Sequence, residues 1–296
     1  MRTVRETLPM TGSSITLGHL VATGRTSRLY AHGTDSVVKV PRHGVPDEWL
    51  ALEAELTAAV REAGVPAPQV RDVVRSHGRI AVVFERINGP SMWEEIVSAP
   101  DTVERRAAQL ADIHRELLSV GLPERVPDLV DRTQRKIKSS TRLLHTEQNA
   151  AADLVANVAR GAALLHGDLH PGNILLAADG PVIIDWFDAS IGHPVADVCR
   201  SVLLMRPTRA ETEHAHLPGA SAALLTALTE GYRREMDPFL APDPLVAHWD
   251  ALNAAARLSE GAHVDEALLV ETWQNHAARL EASGHQISER AGDGRS

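Results

Sequence analysis

The feature that most constrains this chain is a polar loop followed by a short hairpin in its second half. The loop reads His-Gly-Asp-Leu-His-Pro-Gly-Asn over residues 166–173, so Asp168 lies five residues before Asn173. An apolar run then ends in Asp185, and the turn residues at 178–180 predict a hairpin between the two segments. We therefore expect the side-chain oxygens of Asp168, Asn173 and Asp185 to converge on one cleft.

Asp168 and Asn173 each also have a purely structural interpretation. Asp168 beside Gly167 is ordinary for a turn, and Asn173 after Pro171 is ordinary for closing one. A carboxylate at the tip of an apolar strand, such as Asp185, is costly unless it is paired or bound to a metal. Because the three occur as a set, we predict Asp168 as a proton acceptor. The other two are predicted as ligands of Mg²⁺, which prefers oxygen and takes few protein ligands.

The N-terminal part predicts a small sheet and one helix. The predicted strands are 15–21, 28–32, 36–40, 70–74 and 80–84, and the predicted helix is 46–62. Lys39 lies inside the third strand, between Val38 and Val40, where it is poorly solvated unless it faces a cleft. The helix offers Glu53 and Glu55 as partners, and the apolar neighbours of Glu53 favour that residue. The alternative for Lys39 is an edge strand that faces water.

The turn at Thr23-Gly24-Arg25-Thr26-Ser27 is a weak candidate for contacting phosphate. Its backbone N–H groups and the Ser27 hydroxyl suit phosphate oxygens, although an ordinary hairpin turn explains Gly24 equally well. The sequence G-x-x-x-x-G-K-[ST] does not occur in the chain, so a P-loop ATPase is not supported.

The rest of the chain is predicted to be mainly helical. Helices are expected over 102–118, over parts of 128–160 and over most of 195–280. Asn88-Gly89-Pro90 is the best candidate for a hinge. We therefore predict an N-lobe at 1–87 and a C-lobe at 88–296, of which 284–296 forms a mobile tail.

Several polar residues outside the main motif are assigned structural roles. His166, His170 and Asp197 are expected to brace the loop or the helix that follows it. Glu260 and Glu271 are candidates for a pocket that accepts an amine, with a solvated helix surface as the alternative.

The composition limits the partners and the compartment. The net charge of −9 disfavours nucleic acid or an anionic membrane as the main partner. It suits a cationic small substrate, but net acidity is also common in soluble cytoplasmic proteins and explains the charge at least as well. The chain has one cysteine, Cys199, and its N-terminus lacks the apolar segment of a signal peptide. No run approaches the roughly 20 apolar residues of a membrane span. These features predict a cytoplasmic protein, and the oligomeric state stays open.

The combined motifs resemble the aminoglycoside phosphotransferase family, which shares a protein-kinase-like fold with choline kinases and related small-molecule kinases. The resemblance spans most of residues 15–205, and its matching segments are 36–40 with Glu53, 64–68, 84–92, 166–173 and 184–198. Protein kinases carry an arginine where this chain has Gly167, and they add an A-P-E segment that this chain lacks. Both differences argue against a protein kinase.

The resemblance implies an α+β, bilobal protein-kinase-like fold with a small β-rich N-lobe and a larger, mostly helical C-lobe. It implies that the N-lobe binds nucleotide and that the C-lobe carries the catalytic and substrate-binding residues. It makes Asp168 the catalytic base, Asn173 and Asp185 the Mg²⁺ ligands, and Lys39 with Glu53 the pair that anchors the phosphates of ATP. Backbone groups from Glu85 to Ile87 would bind the adenine, and GTP stays open as an alternative nucleotide.

The function implied is transfer of the γ-phosphoryl group of ATP to a hydroxyl of a small molecule. An antibiotic of the aminoglycoside or nucleoside type is the preferred acceptor, with resistance as the biological outcome. A metabolic kinase for a sugar, a choline-like alcohol or an amino acid is the first alternative. A non-catalytic nucleotide-binding scaffold is the second.

Overall fold

The computed structural model of the chain describes residues 10–11, 15–76, 78–121, 125–207, 217, 219, 221–261 and 266–283. These residues pack into two compact units. The first draws on residues within 1–95, 120–126 and 171–189, and the second on residues within 96–119, 127–170 and 190–296. The lobe boundary between residues 87 and 88 stays a prediction. The predicted mobile tail lies outside the described residues.

The described elements are a mixture of helices and strands, so the α+β prediction is confirmed. The strands are β1 (Met10–Thr11), β2 (Leu20–Thr23), β3 (Ser27–His32), β4 (Ser36–Pro41), β5 (Val70–Ser76), β6 (Arg79–Glu85), β7 (Ala163–Leu165), β8 (Ile174–Ala177), β9 (Gly180–Ile183) and β10 (Ser190–Gly192). The α-helices are α1 (Asp47–Glu62), α2 (Met92–Ser98), α3 (Val103–Leu118), α4 (Leu129–Ser139), α5 (His145–Asn157), α6 (Pro194–Met205), α7 (Ala222–Leu240), α8 (Val246–Arg257) and α9 (Glu266–Ala282).

The first unit is built on a six-stranded sheet with the order β1-β5-β6-β4-β3-β2. Its strands alternate apolar side chains between two faces, as a pleated sheet requires. One face packs with α1 residues in a cluster of Val37, Leu50, Ala54, Val73, Val82 and Phe84. The other face holds a smaller cluster of Val38, Val74, Ala81 and Val83. The strand β4 lies in the interior of this sheet, so the edge-strand interpretation of Lys39 is wrong.

Local sequence explains the limits of α1. Pro46 occupies the N-cap in an extended conformation, and Asp47 and Glu48 place negative charge in the first turn. The helix ends at a cap on Ala63, and the next residue, Gly64, has a φ of 93°. Glycine accepts this left-handed conformation without the penalty that a Cβ would bring. The prediction of a helix over 46–62 therefore agrees with the structure to within one residue.

Two details of the sheet differ from the predictions. The first predicted strand, 15–21, is observed as β2, which begins only at Leu20. Before it, Gly18 N donates to Ala31 O and Ala31 N donates to His19 O, but the register then shifts between Leu20 and Ala22. The pairing with β3 is therefore interrupted rather than continuous. The short strand β1, parallel to β5, was not predicted.

The hairpin β8–β9 also belongs to the first unit. Its register pairs Ile174 with Ile183. Leu176 N donates to Pro90 O at 2.9 Å and Ile183 N donates to Pro66 O at 2.8 Å, so both strands are tied to neighbouring backbone. Gly89 is required at this junction, because a Cβ there would lie 2.1 Å from the Leu176 carbonyl oxygen.

The second unit is mainly helical and contains one short ladder, in which β10 pairs antiparallel with β7. Its helices bury the apolar stripes that the sequence predicts, as α3 does with Leu110, Ala111 and Leu117. At the start of α4 the Asp128 carboxylate accepts hydrogen bonds from two backbone amides. In the part of the chain that the structure describes, no helix is long and apolar enough to cross a membrane.

Candidate active site

A buried ion cluster forms around Lys39 in the first unit. The Lys39 Nζ donates to Glu53 Oε1 at 2.6 Å and to Asp185 Oδ1 at 3.2 Å. Across the sheet Lys39 pairs with Leu29 and Val82, which share the face that packs on α1. The lysine therefore points toward the helix rather than into water, and its side chain is 13% exposed.

The charges in this cluster shift each other's protonation. Burial lowers the pKa of Lys39, but the negative charges of Asp185 and Glu53 outweigh it, and the net pKa is above the ordinary value. Burial raises the pKa of Glu53 to about 7, against the pull of Lys39 and with a further rise from Asp185. Lys39 thus stays charged, whereas Glu53 takes up a proton near neutral pH.

We predict that Glu53 makes folding stability depend on pH. Its folded pKa lies above the ordinary value of 4.5, so its contribution to stability is complete below about pH 4.5 and is lost as the pH rises through 7. Relative to Glu53→Gln, the native protein should lose up to about 3 kcal/mol of unfolding free energy between pH 5 and pH 8. Urea denaturation of both proteins without nucleotide measures this difference.

The control for this experiment is Glu62→Gln, which removes an exposed carboxylate from the same helix. The difference in unfolding free energy between Glu62→Gln and the native protein should stay nearly constant over the same pH range. A difference between the native protein and Glu53→Gln that is flat, or that grows with pH, would contradict the prediction.

Asp185 has an unusual backbone conformation. Its φ and ψ are 65° and 63°, and it is the only non-glycine residue with positive φ in the part of the chain that the structure describes. The strand β9 ends two residues earlier, so the prediction that the strand continues to Asp185 is wrong. Such conformations cost of order 1–3 kcal/mol and cluster at functional sites.

The segment after Asp185 is anchored on both sides. Trp186 is fully buried, and its Nε1 donates to Ile183 O at 2.9 Å. Phe187 stacks on Trp49 of α1 with ring centroids 5.2 Å apart. The carboxylate that contacts Lys39 is therefore held by the hairpin on one side and by aromatic packing on the other.

The two predicted metal ligands lie at the same end of the β8–β9 hairpin. Ile184 N donates to Asn173 O at 3.0 Å, which places Asp185 one residue beyond this backbone pair. Asn173 is buried, and the Asp185 side chain is 44% exposed. Among the described residues no cluster of three or more His, Cys, Asp or Glu side chains suits a metal ion. An amide oxygen and a carboxylate nevertheless fit Mg²⁺, which commonly binds one or two protein ligands and keeps several waters.

The remaining residues predicted to contact the nucleotide are Gly24, Ser27, Glu85 and Ile87. Gly24 N donates to Ser27 O at 2.9 Å, so this amide closes the turn between β2 and β3. Glu85 N donates to Gln69 O, and the Glu85 carboxylate accepts from Gln69 N at 3.0 Å. The Glu85 amide is therefore already engaged, and a backbone contact from Glu85 to a ligand would have to use its carbonyl group. Ile87 is half-buried, two residues beyond the end of β6.

The loop that carries Asp168 belongs to the second unit and follows β7 directly. The Asp197 carboxylate accepts from His166 N at 2.7 Å and from Gly167 N at 2.8 Å. Asp168 N in turn donates to His166 Nδ1 at 3.2 Å. His170 Nε2 lies 3.9 Å from Asp168 Oδ2. The expected bracing roles of Asp197 and His166 agree with these contacts.

Asp197 is itself held by a residue of α3 that was not predicted to have a role at the site. His114 Nε2 lies 3.2 Å from Asp197 Oδ2, and His114 Nδ1 lies 2.5 Å from the Tyr232 hydroxyl. Burial raises the pKa of Asp197, but the hydrogen bonds and charge of His114 and the His166 amide outweigh it and lower the net pKa. The carboxylate therefore stays ionised while it holds the loop.

The second unit also contains an ion cluster centred on Glu260. Arg200, Lys136 and Arg257 all contact its carboxylate, at 2.7, 2.9 and 3.4 Å. The Glu260 side chain is only 8% exposed. The interpretation of Glu260 as part of a solvated helix surface is therefore wrong, and its assignment to an amine-binding pocket stays a prediction. Glu271 is exposed on α9.

Comparisons with known proteins point to one family. A sequence model described as "Phosphotransferase enzyme family" matches residues 19–239, which include all the residues predicted as catalytic, metal-binding or nucleotide-binding. A search of curated proteins finds no match.

Several solved structures resemble this fold. A thermostable mutant of aminoglycoside phosphotransferase APH(4)-Ia, in a ternary complex with AMP-PNP and hygromycin B, superposes with a TM-score of 0.58 at 15% identity, covering 92% of this chain and 94% of that one. A choline/ethanolamine kinase family protein from Mesorhizobium loti gives 0.52 at 17% identity, covering 91% and 90%. Aminoglycoside phosphotransferase APH(3'')-Id from Streptomyces rimosus gives 0.53 at 16%, covering 81% and 92%. These similarities confirm the predicted protein-kinase-like fold.

Proposed function

Because the chain belongs to the Phosphotransferase enzyme family, we propose that it transfers the γ-phosphoryl group of ATP to a hydroxyl group of a small molecule. Membership confirms the predicted activity class, a small-molecule kinase. The observation that carries the proposal is the contact of Lys39 with both Glu53 and Asp185. This contact brings the Lys39 ammonium, which suits phosphate oxygens, next to the Asp185 carboxylate, which suits a metal ion. The AMP-PNP in one structural neighbour and the ADP in another support ATP as the donor.

In the proposed mechanism each residue binds, orients or moves a proton. The Lys39 ammonium binds the α- and β-phosphates, and Glu53 holds that ammonium in place. Asn173 and Asp185 would hold Mg²⁺, which when bound supplies positive charge against the β- and γ-phosphates. Asp168 accepts the proton of the acceptor hydroxyl while the oxygen of that hydroxyl forms a bond to the γ-phosphorus. The bond from that phosphorus to the β,γ-bridging oxygen breaks, and ADP leaves.

The remaining nucleotide contacts belong to the same proposal. Backbone groups of the turn from Gly24 to Ser27 would cover the phosphates, with the Ser27 hydroxyl as a further donor. The carbonyl of Glu85 and the amide of Ile87 would bind the adenine edge. GTP stays open as the nucleotide in place of ATP.

We propose an antibiotic of the aminoglycoside or nucleoside type as the acceptor. Structural neighbours in complex with hygromycin B, streptomycin and gentamicin support this class. The net charge of −9 suits a cationic acceptor, and the single cysteine suits a cytoplasmic location. A metabolic kinase is the second candidate, supported by the neighbour from the choline/ethanolamine kinase family.

An ATP-consumption screen separates these possibilities. The purified protein with Mg-ATP is tested against aminoglycosides, nucleoside antibiotics, choline, ethanolamine, sugars and amino alcohols, and mass spectrometry identifies any phosphorylated product. We expect a phosphate monoester of one antibiotic class. A phosphorylated metabolite with no antibiotic product would support the metabolic kinase. No Mg-dependent ATP turnover with any acceptor would contradict the proposal and favour a non-catalytic nucleotide-binding protein.

A further inference from the structure

The arginine of the Glu260 cluster also contacts the loop that carries Asp168. Arg200 Nε donates to the Gly167 carbonyl oxygen at 3.2 Å. Its Nη2 lies 2.7 Å from both carboxylate oxygens of Glu260. One guanidinium therefore joins a buried carboxylate to the peptide group that immediately precedes Asp168.

The backbone around Gly167 is held from two directions by charged side chains. Asp197 accepts the amide hydrogens of His166 and Gly167, whereas Arg200 donates to the Gly167 carbonyl. Asp197 and Arg200 lie three residues apart on α6, so they project from the same side of that helix. Gly167 itself has a φ of 77°, a conformation that the backbone does not favour for other residues. Together these contacts fix the backbone conformation of the residues immediately before Asp168.

Glu260 is the residue that fixes Arg200. The Arg200 side chain is 6% exposed, and leaving one partner of a buried pair uncompensated is strongly destabilising. Lys136 and Arg257 contact the same carboxylate, so Glu260 is held from α4 and α8 as well as from α6. The planar guanidinium can engage two groups in fixed directions at once, which a lysine ammonium cannot.

We propose that Glu260 and Arg200 are positioning residues for Asp168: Glu260 orients Arg200, and Arg200 sets the loop conformation that aims the Asp168 carboxylate. The proposal rests on the proposed function, in which Asp168 is the catalytic base. Because misplacing a catalytic group by about 1 Å can cost about 100-fold in rate, this cluster contributes to turnover without touching the nucleotide or the acceptor.

The first test compares Arg200→Lys and Glu260→Gln with the native protein. Arg200→Lys keeps the positive charge but loses the planar guanidinium that contacts two groups at once. Glu260→Gln keeps the shape of the side chain but loses its negative charge. ADP formation from Mg-ATP is measured with the acceptor found in the screen, or with water as acceptor where no alcohol reacts. We expect each variant to lower kcat by about 10- to 100-fold. The KM for ATP should change by less than about twofold. Unchanged kcat in both variants would overturn the proposal.

A double-mutant comparison distinguishes positioning from a general structural role. If Arg200 acts through Asp168, then Arg200→Lys should lower turnover by less than about twofold further in an Asp168→Asn protein. A further loss as large as in the native background would overturn the positioning role and leave the proposed base intact. Normal turnover of Asp168→Asn alone would instead overturn the proposed base, and this inference with it.

Hydrogen exchange tests the loop without any acceptor. The amides of His166 and Gly167 should exchange about tenfold faster in Arg200→Lys than in the native protein. The control is Thr229→Val, which removes a buried hydroxyl that donates to Met205 O at the other end of α6. Unchanged exchange in Arg200→Lys, or an equal increase in Thr229→Val, would contradict the proposal.

Discussion

Replacing Asp168 with Asn is expected to lower the rate of phosphoryl transfer by about a thousandfold, which lies within the range that positioned acid–base groups contribute. The amide has nearly the same shape but cannot accept the proton of the acceptor hydroxyl. The backbone contact from Asp168 N to His166 Nδ1 does not involve the altered group. Loop geometry should therefore persist. The measurement is kcat with the identified acceptor, together with the Kd for ATP by calorimetry.

ATP binding by Asp168→Asn should match that of the native protein, because the nucleotide contacts are assigned to other residues, such as Lys39 and Ser27. The matched control is Asp153→Asn, which makes the same chemical change at an exposed position on α5 and should leave kcat unchanged. Turnover of Asp168→Asn within about tenfold of native would rule out this residue as the base.

The parts of the fold that were predicted well are those specified by neighbouring residues. The strands β3 to β6 follow short apolar runs bounded by turn residues, and α1 follows a capped helical pattern. Glu53 was preferred over Glu55 because its neighbours on the helix are apolar, and the structure places Glu53 against Lys39. The structure shows the contact between Lys39 and Glu53, whereas the role of this pair in binding the phosphates of ATP stays a proposal.

The parts that were missed depend on contacts between distant residues. The strands β7 and β10 have three residues each and pair across 25 or more positions, too short for a periodic signal. Arg200 contacts a carbonyl 33 residues away and a carboxylate 60 residues away, so nothing in its local sequence marks it. Glu260 shows the same limit, because acidic composition suggested an open pocket or a solvated surface. Only the packed helices reveal that three cations surround it.

The conformation of Asp185 is a failure of a different kind. An apolar run predicts a strand that continues to its last residue, whereas the chain turns into a left-handed conformation at Asp185. Asparagine and aspartate tolerate the left-handed region better than most residues. An aspartate is therefore compatible with this turn but is not sufficient to predict it. The turn matters because the same residue contacts Lys39.

Asp185→Asn is the second substitution with a large expected effect. Asparagine tolerates the left-handed backbone, so the loop should fold as before and only the charge should be lost. Removing a carboxylate ligand is expected to lower kcat by at least about 100-fold and to raise the Mg²⁺ concentration needed for half-maximal activity. Because Asp185 raises the pKa of Glu53, that pKa should also fall, and the pH dependence of stability predicted for Glu53 should become weaker.

These outcomes separate a metal ligand from a residue that only pairs with Lys39. A pairing role predicts weaker ATP binding with an unchanged Mg²⁺ requirement, whereas a ligand role predicts a shifted Mg²⁺ titration. The control is Asp179→Asn at the exposed turn of the same hairpin, which should change neither quantity. Chelation of Mg²⁺ should abolish turnover of the native protein. An Asp185→Asn protein with native Mg²⁺ dependence would show that the carboxylate orients Lys39 and that the metal is held elsewhere.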